Sequence, residues 1–410
     1  MKEKIRMSVI GLGQRGLGLL RGVLVKRDDA EVVSVCDVYS DRVEQSLVAI
    51  REATGKTAVG YTDYREMLEK ERPDAVLVSA AWEYHTEIAV EALERGVAVA
   101  MEMGGCYSED EMRNLVRVQE KTHTPFMFME NCCYDKAETL ATNLTRAGRF
   151  GEIVHCAGAY AHDLRSEIAG GEENRHYRLR NYRYRNCENY ATHELGPIAK
   201  LLKINAGNRF TSLVSVASKA VGMEQYVLQN AEKYPNLVGK KFAQGDLVHT
   251  LLTCAGGETV LLRLDTTLPR FYERDFTVRG TRGFYSANCD IVFFDGDIGE
   301  EFDTKKAYRE LFGSGERYAE YLPEQWRSIT PETRNAGHGG MDYFEFDEFF
   351  TCLKENRAMP LDVYDAATWM IVSVLSEQSI RLGGAPVPFP DFTNGKWLNR
   401  PHRDVCLINR

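Results

Sequence analysis

The sequence predicts two domains: a doubly wound parallel α/β domain, then an α+β domain built on a large open antiparallel sheet. Three observations predict this. Residues 1–130 alternate short apolar runs with amphipathic helical stretches. A glycine-rich turn, Gly11-Leu12-Gly13-Gln14-Arg15-Gly16, joins the first strand pattern to the first helical one. Beyond residue 150, strand patterns follow one another without intervening helices. At 410 residues the chain suits two cores rather than one. The pattern divides it into 1–132, 133–390 and a tail, 391–410.

In the first domain, strand patterns fall at 5–11, 31–37, 74–80, 97–102 and 125–129, and helical ones at 15–26, 40–54, 63–71, 84–95 and 108–121. That is the βαβ order of a doubly wound sheet. Within the glycine turn, Gly11 permits the bend, Gly13 lets a pyrophosphate approach the backbone, and Gly16 lets helix and strand pack closely. Leu12, Gln14 and Arg15 complete the turn, and the free N–H groups at the helix start face the phosphates. Asp37 closes the second strand pattern about 20 residues beyond the glycines, where a carboxylate binds ribose hydroxyls. It favours NAD over NADP, because it repels a 2′-phosphate, while Arg42 leaves NADP open. Trp82, His85, Glu102, Glu130 and Asn131 fall at the carboxyl edge of the same sheet, where cofactor and substrate meet.

In the second domain, residues 134–148 read as a helix and 153–162 as a strand. Further strand patterns cover 211–221, 246–254, 258–268, 273–280 and 283–289, with Ala255-Gly256-Gly257-Glu258 as a hairpin turn. Helices are expected on one sheet face, leaving the other for a partner. Two late helical patterns, 340–356 and 362–382, are expected to pack back on the first domain.

Composition excludes several classes. The net charge is −9 and no basic run of the nucleic-acid-binding kind appears outside 175–185. No apolar stretch reaches the ~18 residues of a membrane span. The first strand begins almost at Met1, which leaves no room for a signal peptide, and the ten cysteines form no C-x-x-C pair. The expectation is a cytoplasmic chain with reduced thiols. The adjacent Cys132 and Cys133 are expected to pack rather than to do redox chemistry. No metal-ligand spacing appears, so no metal is expected.

Four clusters carry chemistry. Glu130 ends an apolar strand and is a candidate ligand for sugar hydroxyls or cofactor. Tyr160 and His162, two apart on a strand, share a face and form a candidate acid/base pair. Arg175 to Arg185 interleaves basic and aromatic residues and reads as a loop lining a polar pocket. Tyr190 and His193, three apart, share a face once a helix has begun.

Together these stretches resemble the Gfo/Idh/MocA oxidoreductases, with an N-terminal Rossmann domain and a C-terminal open sheet. More narrowly they resemble the NAD-dependent, α-N-acetylgalactosaminidase-like enzymes of glycoside hydrolase family 109. The stretches that carry the resemblance are Met129-Glu-Asn-Cys-Cys-Tyr134, Phe150-Gly-Glu-Ile-Val-His155, Ala159-Tyr-Ala-His-Asp-Leu-Arg165, Tyr190-Ala-Thr-His-Glu-Leu-Gly-Pro197, His338-Gly-Gly-Met-Asp342, Asp362 to Trp369 and Pro390-Asp-Phe392. The resemblance implies tightly bound NAD, recycled at each turnover. The sugar is oxidised at C3, which acidifies the C2 proton. A base removes that proton, the aglycone leaves by elimination, water adds at C1, and C3 is reduced again. Carried over residue by residue, Tyr160 is the C2 base and His193 an acid/base or orienting group at C3. Glu130, His162, Arg165, Tyr190 and Asp342 bind substrate, and Asp365 lies near the site. The arginines of 175–185 could supply the cation that Tyr160, with an ordinary pKa near 10, needs to act as a base.

Three departures stand out. The superfamily carries Glu-Lys-Pro after its fifth strand with a catalytic lysine. Here Met101-Glu102-Met103-Gly104 has none, which argues against a conventional sugar or inositol dehydrogenase. Asn189 stands where the superfamily often has Asp. The segment around Gly170-Gly171-Glu172-Glu173 differs from the family and is expected on the aglycone side. A dehydrogenase, a 3-keto-glycoside lyase and a non-catalytic sugar sensor are the competing readings. The expected partners are a small glycoside and further copies of the chain, as a dimer or tetramer through the C-terminal sheet, for a role in carbohydrate metabolism.

Overall fold

A computed structural model describes residues 4–297 and 304–405. The chain forms two units. Met1–Tyr134 joins Ser328–Ala367 in the first, and Asp135–Arg327 joins Thr368–Arg410 in the second.

The first unit holds β1 (Ile5–Ile10), β2 (Ala30–Cys36), β3 (Val59–Tyr61), β4 (Ala75–Val78), β5 (Ala98–Glu102) and β6 (Phe126–Met129). They form one parallel sheet in the order β3-β2-β1-β4-β5-β6. The order reverses direction between β1 and β4, which opens the crevice used by nucleotide ligands in such sheets. Every residue of β4, β5 and β6 is buried, as parallel strands covered on both faces must be. The edge strand β3 has no counterpart in the apolar pattern, because Val59-Gly60-Tyr61 is short and half-exposed. The helix Glu109–Thr122 starts where Ser108 Oγ accepts the Glu111 N–H at 3.2 Å. Three acidic residues in its first turn complement the helix dipole. The helix Met341–Glu355 belongs to this unit and packs on the 131–134 turn that follows β6.

The second unit is built on eight strands. They are β7 (Ile153–Ala161), β8 (Phe210–Ala217), β9 (Leu247–Cys254), β10 (Thr259–Asp265), β11 (Thr277–Gly280), β12 (Gly283–Ser286), β13 (Ile291–Phe294) and β14 (Val387–Pro388). Their order is β13-β12-β11-β7-β10-β9-β8-β14. All neighbours are antiparallel except β7 and β10, so the sheet is mixed rather than purely antiparallel. The β9–β10 hairpin turns through Gly257, whose φ of +97° is open to glycine. Burial alternates along β9. Val248, Thr250, Leu252 and Cys254 point into the core, while His249 and Leu251 are exposed. The covered face carries the helices Thr192–Leu201 and Val372–Arg381, which pack on β7 and β8.

Three expectations change here. The basic–aromatic run is not a loop: Arg178–Tyr184 is a helix, with Arg178, Leu179, Asn181 and Tyr182 buried. The pattern over 283–289 is a shorter strand that turns into β13. The late pattern over 362–382 is two helices, Val363–Met370 and Val372–Arg381, and the second packs on β8 of the second unit rather than back on the first domain. The described cysteines are free thiols, and Cys132 and Cys133 are buried. Among the described residues no helix is long and apolar enough to cross a membrane.

Candidate active site

Two buried polar clusters emerge, one in each unit. In the first, Gly11 has φ +92°, and a Cβ there would strike the backbone of Ala80. A Cβ on Gly16 would strike the Gly11 carbonyl, whereas one on Gly13 would meet only the Arg42 guanidinium. The loop therefore closes tightly on the sheet side and stays open at Gly13, which is the cradle a pyrophosphate requires. Gly13 precedes the helix Gln14–Gly22, whose start has no side-chain cap, so its first N–H groups remain for a ligand. Asp37 Oδ2 accepts the Leu12 N–H at 2.7 Å and Oδ1 accepts the Tyr39 N–H at 3.0 Å. Arg42 Nη1 stands 3.6 Å from Asp37. Trp82 opens the helix after β4, and His85 Nε2 lies 2.8 Å from the Ala80 carbonyl. Burial lowers the His85 pKa to about 4, so its ring is neutral.

Arg15 gathers the rest of this cluster. Its guanidinium bonds Asp342 twice, at 2.8 and 3.0 Å, and pairs with Glu102 at 2.9 Å. Asn131 Nδ2 donates to Asp342 Oδ1 at 2.7 Å, and His338 Nδ1 is 2.9 Å from Oδ2. Glu130 and Glu345, both fully buried, act electrostatically on the same group. Burial opposes charge on Asp342, but Arg15 and His338 outweigh it and hold its carboxyl well below the usual range. Glu102 and Glu345 go the other way: burial raises both, and the neighbouring carboxylates add to it. Glu130, Asn131, Glu102, Arg15 and Asp342 are thus parts of one structure. Asp365 stands apart, capping the Asp362 N–H at 3.2 Å.

In the second unit, Tyr160 lies near the end of β7 and is buried. Its hydroxyl is 3.4 Å from His162 Nδ1. Its ring centroid lies 4.3 Å from Tyr190 and 5.4 Å from His193. Tyr190 Oη is 3.4 Å from His193 Nε2, although the helix that carries His193 begins only at Thr192. Arg178 lies over the Tyr190 ring at 4.8 Å, and its Nε is 2.9 Å from Glu167 Oε1. Burial disfavours the Arg178 charge, but Tyr160, Tyr177 and Glu167 overcome it and keep the guanidinium firmly protonated. Burial and Arg178 lower the His162 pKa, leaving an imidazole that is neutral at pH 7. A phenol beside a fixed cation and two imidazoles can give up and regain a proton at modest cost.

Arg165 is not drawn into this group: it pairs with Asp163 at 2.6 Å and covers the Tyr226 ring. Two residues join that spacing did not single out. Tyr272 stands 5.2 Å from the His162 ring and 6.4 Å from Tyr160. Fully buried Glu188, whose carboxyl feels the Tyr190 backbone N–H, has that carboxyl pushed up to about 8 by burial. Both lie outside periodic segments, so only the fold could place them.

Comparison with known proteins decides the family. The family model "Glycosyl hydrolase 109, C-terminal domain" matches residues 134–399, and "Oxidoreductase family, NAD-binding Rossmann fold" matches residues 5–129. The chain belongs to glycosyl hydrolase family 109. A family 109 protein of Stenotrophomonas maltophilia is 35% identical over 97% of this chain and 91% of its own. An alpha-N-acetylgalactosaminidase of Tannerella forsythia is 33% identical over 97% of this chain and 88% of its own. Among solved structures, myo-inositol 2-dehydrogenase from Lactobacillus plantarum shares the fold with a TM-score of 0.66 at 15% identity, over 94% of this chain and 100% of that one. As a family 109 member the chain is an enzyme, a glycosidase or a sugar oxidoreductase, with NAD as the cofactor of its Rossmann unit.

Proposed function

We propose that this family 109 enzyme is an NAD-dependent glycoside hydrolase working by oxidation, elimination and addition. The observation that carries this reading is Tyr160. Its buried phenol is ringed by His162, Tyr190 and His193 and faces the Arg178 cation. Bound NAD would supply reversible hydride exchange at C3 of the sugar. It would be held by the loop Gly11–Gly16, by Asp37 at the ribose, and by Trp82, His85, Glu102 and Asn131 along the sheet edge. A C3 ketone acidifies C2–H by spreading charge into an enolate. Tyr160, stabilised as phenolate by Arg178, takes that proton. His193, oriented by Tyr190, exchanges the C3 hydroxyl proton. His162 holds a sugar hydroxyl. The cycle needs no pair of carboxylates flanking the glycosidic bond. We also propose that NAD stays bound through turnover, and that copies of the chain associate through the open sheet face.

The test is incubation in D2O with nitrophenyl glycosides of N-acetylgalactosamine, galactose and glucose, with NADH absorbance followed. Aglycone release with deuterium at C2 and no accumulating NADH is the expected result. Steady NADH formation with the glycosidic bond intact would make the enzyme a dehydrogenase instead.

A further inference from the structure

Tyr272 sits on a segment whose position is fixed twice over. Its backbone runs beside the end of β7: the Glu273 N–H donates to the Ala161 carbonyl at 2.9 Å, and the Ala161 N–H donates to the Glu273 carbonyl at 3.2 Å. The side chain of Glu273 is separately tied to Arg270 at 2.5 Å and Arg263 at 3.2 Å. The Tyr272 ring is a different matter, since it is 47% exposed. Arg274 Nη1 donates to its hydroxyl at 3.1 Å. The same guanidinium reaches Glu138 Oε1 with Nε at 2.9 Å and bonds Asp135 with Nη2. Asp135 caps the helix Lys136–Arg146 and Glu138 lies in its first turn, so both acceptors are fixed to a rigid element. The Tyr272 ring then stands edge-on to His162, at 83°, and to Tyr160, at 80°.

We propose that Arg274 is a positioning residue: braced by Asp135 and Glu138, it holds the Tyr272 ring as a fixed wall beside Tyr160 and His162, against which a substrate ring is oriented. This rests on the reading of the tyrosine–histidine cluster as the substrate site. The brace is also sensitive to pH. Burial pushes the Glu138 carboxyl up to about 7, against the pull of Arg274 and with Asp135 adding to the rise. Tyr285 faces the same carboxylates and Asp290, which Lys136 faces in turn. The Glu138 carboxylate therefore forms as pH rises through about 7, and the brace is tightest above that.

The full-length enzyme, labelled with 3-fluorotyrosine at position 272, provides the test by fluorine NMR and steady-state kinetics. The Tyr272 resonance is expected to sharpen through a transition near pH 7 that disappears in Glu138→Gln. Arg274→Met is expected to broaden it at every pH. On a nitrophenyl glycoside that the enzyme hydrolyses, Arg274→Met and Tyr272→Leu should each raise KM about tenfold with kcat little changed, and the double variant no further. If Arg274→Met fails to fold, Glu138→Gln combined with Arg274→Met removes both charges and carries the same expectations. An unmoved resonance, an unmoved KM, or a fall in kcat alone would overturn the proposal. If no glycoside is hydrolysed, the glycosidase reading fails, and the fluorine signal alone decides whether Arg274 holds Tyr272.

Discussion

The two polar clusters follow opposite electrical plans. In the first unit one guanidinium, Arg15, faces the carboxyls of Glu102, Asp342 and Glu345, with Glu130 acting on Glu102 and Glu345, and all four carboxyls are nearly or fully buried. Charge is in excess there and must be compensated or protonated. In the second unit one guanidinium, Arg178, meets Tyr160, Tyr177, Tyr190 and Glu167, with two imidazoles close by. Its neighbours there are mostly phenols and imidazoles rather than carboxyls. The first arrangement fixes parts in place, while the second keeps protons available to move.

Removing the phenol oxygen strikes the second plan hardest. Tyr160→Phe keeps the ring against Tyr190 and His193 but removes the proposed base. Turnover of a hydrolysed glycoside should fall by ~10²–10⁴, with NAD affinity and thermal stability near those of the parent. Activity within a few-fold of the parent would remove Tyr160 from the role of base.

Arg15→Met strikes the first plan. It strands buried carboxyls, and because the Arg15 side chain keeps 28% exposure the cost belongs near the low end for broken buried pairs, about 3 kcal/mol in urea unfolding. The pH dependence has a definite sign. Asp342 is held low, so it contributes stability above its unfolded pKa and loses it as pH falls. Glu102 and Glu345 are raised, so the native state binds their protons more tightly and stability declines as pH rises above their unfolded pKa. Without Arg15, Asp342 keeps only His338 against burial, so its carboxyl moves toward the second group. The variant should therefore be more destabilised at pH 8 than at pH 5, and an equal loss at both would mean the cluster is compensated elsewhere.

The same contrast explains what could be read from the chain. The glycine loop and Asp37 are legible because they depend on backbone geometry at fixed spacing: Gly11 must take φ +92°, and Asp37 must follow the second strand. Tyr160 with His162, and Tyr190 with His193, are legible as local pairs. That the two pairs share one cluster is implied by the family resemblance and not by spacing, since β7 and the Thr192–Leu201 helix meet only in the folded unit. The run 175–185 was opaque for a different reason. Its mixed residues read as a loop lining a polar pocket, yet it holds a helix in which Arg178 is buried among phenols that stabilise it, which no periodicity records. Arg15 reads as a residue of the phosphate loop, whereas its side chain serves Asp342, over 300 positions away.

A smaller effect is expected from Arg178. Arg178→Lys keeps the charge without the planar stacking over Tyr190, and Arg178→Met removes both. If the guanidinium is what makes Tyr160 acidic enough, Arg178→Met should move the alkaline rise of kcat/KM to higher pH and lower the rate at neutral pH about tenfold, and Arg178→Lys should recover part of the shift. A rate loss with an unmoved pH profile would leave Arg178 a packing role only.

The smallest change tests whether the first cluster also chooses the cofactor. Both Asp37 oxygens accept backbone N–H groups, from Leu12 and Tyr39, so the carboxylate shapes the loop as well as serving the proposed ribose contact. Asp37→Asn retains one acceptor and removes the charge, which should weaken NAD by about 1–2 kcal/mol, or roughly 5- to 30-fold. The informative quantity is the ratio of NAD to NADP dissociation constants. Arg42 lies 3.6 Å from Asp37, and loss of the carboxylate frees it for a 2′-phosphate. The ratio should then move toward NADP even as both bind more weakly. If both cofactors weaken equally, Asp37 only shapes the loop, and discrimination at the ribose lies with another residue.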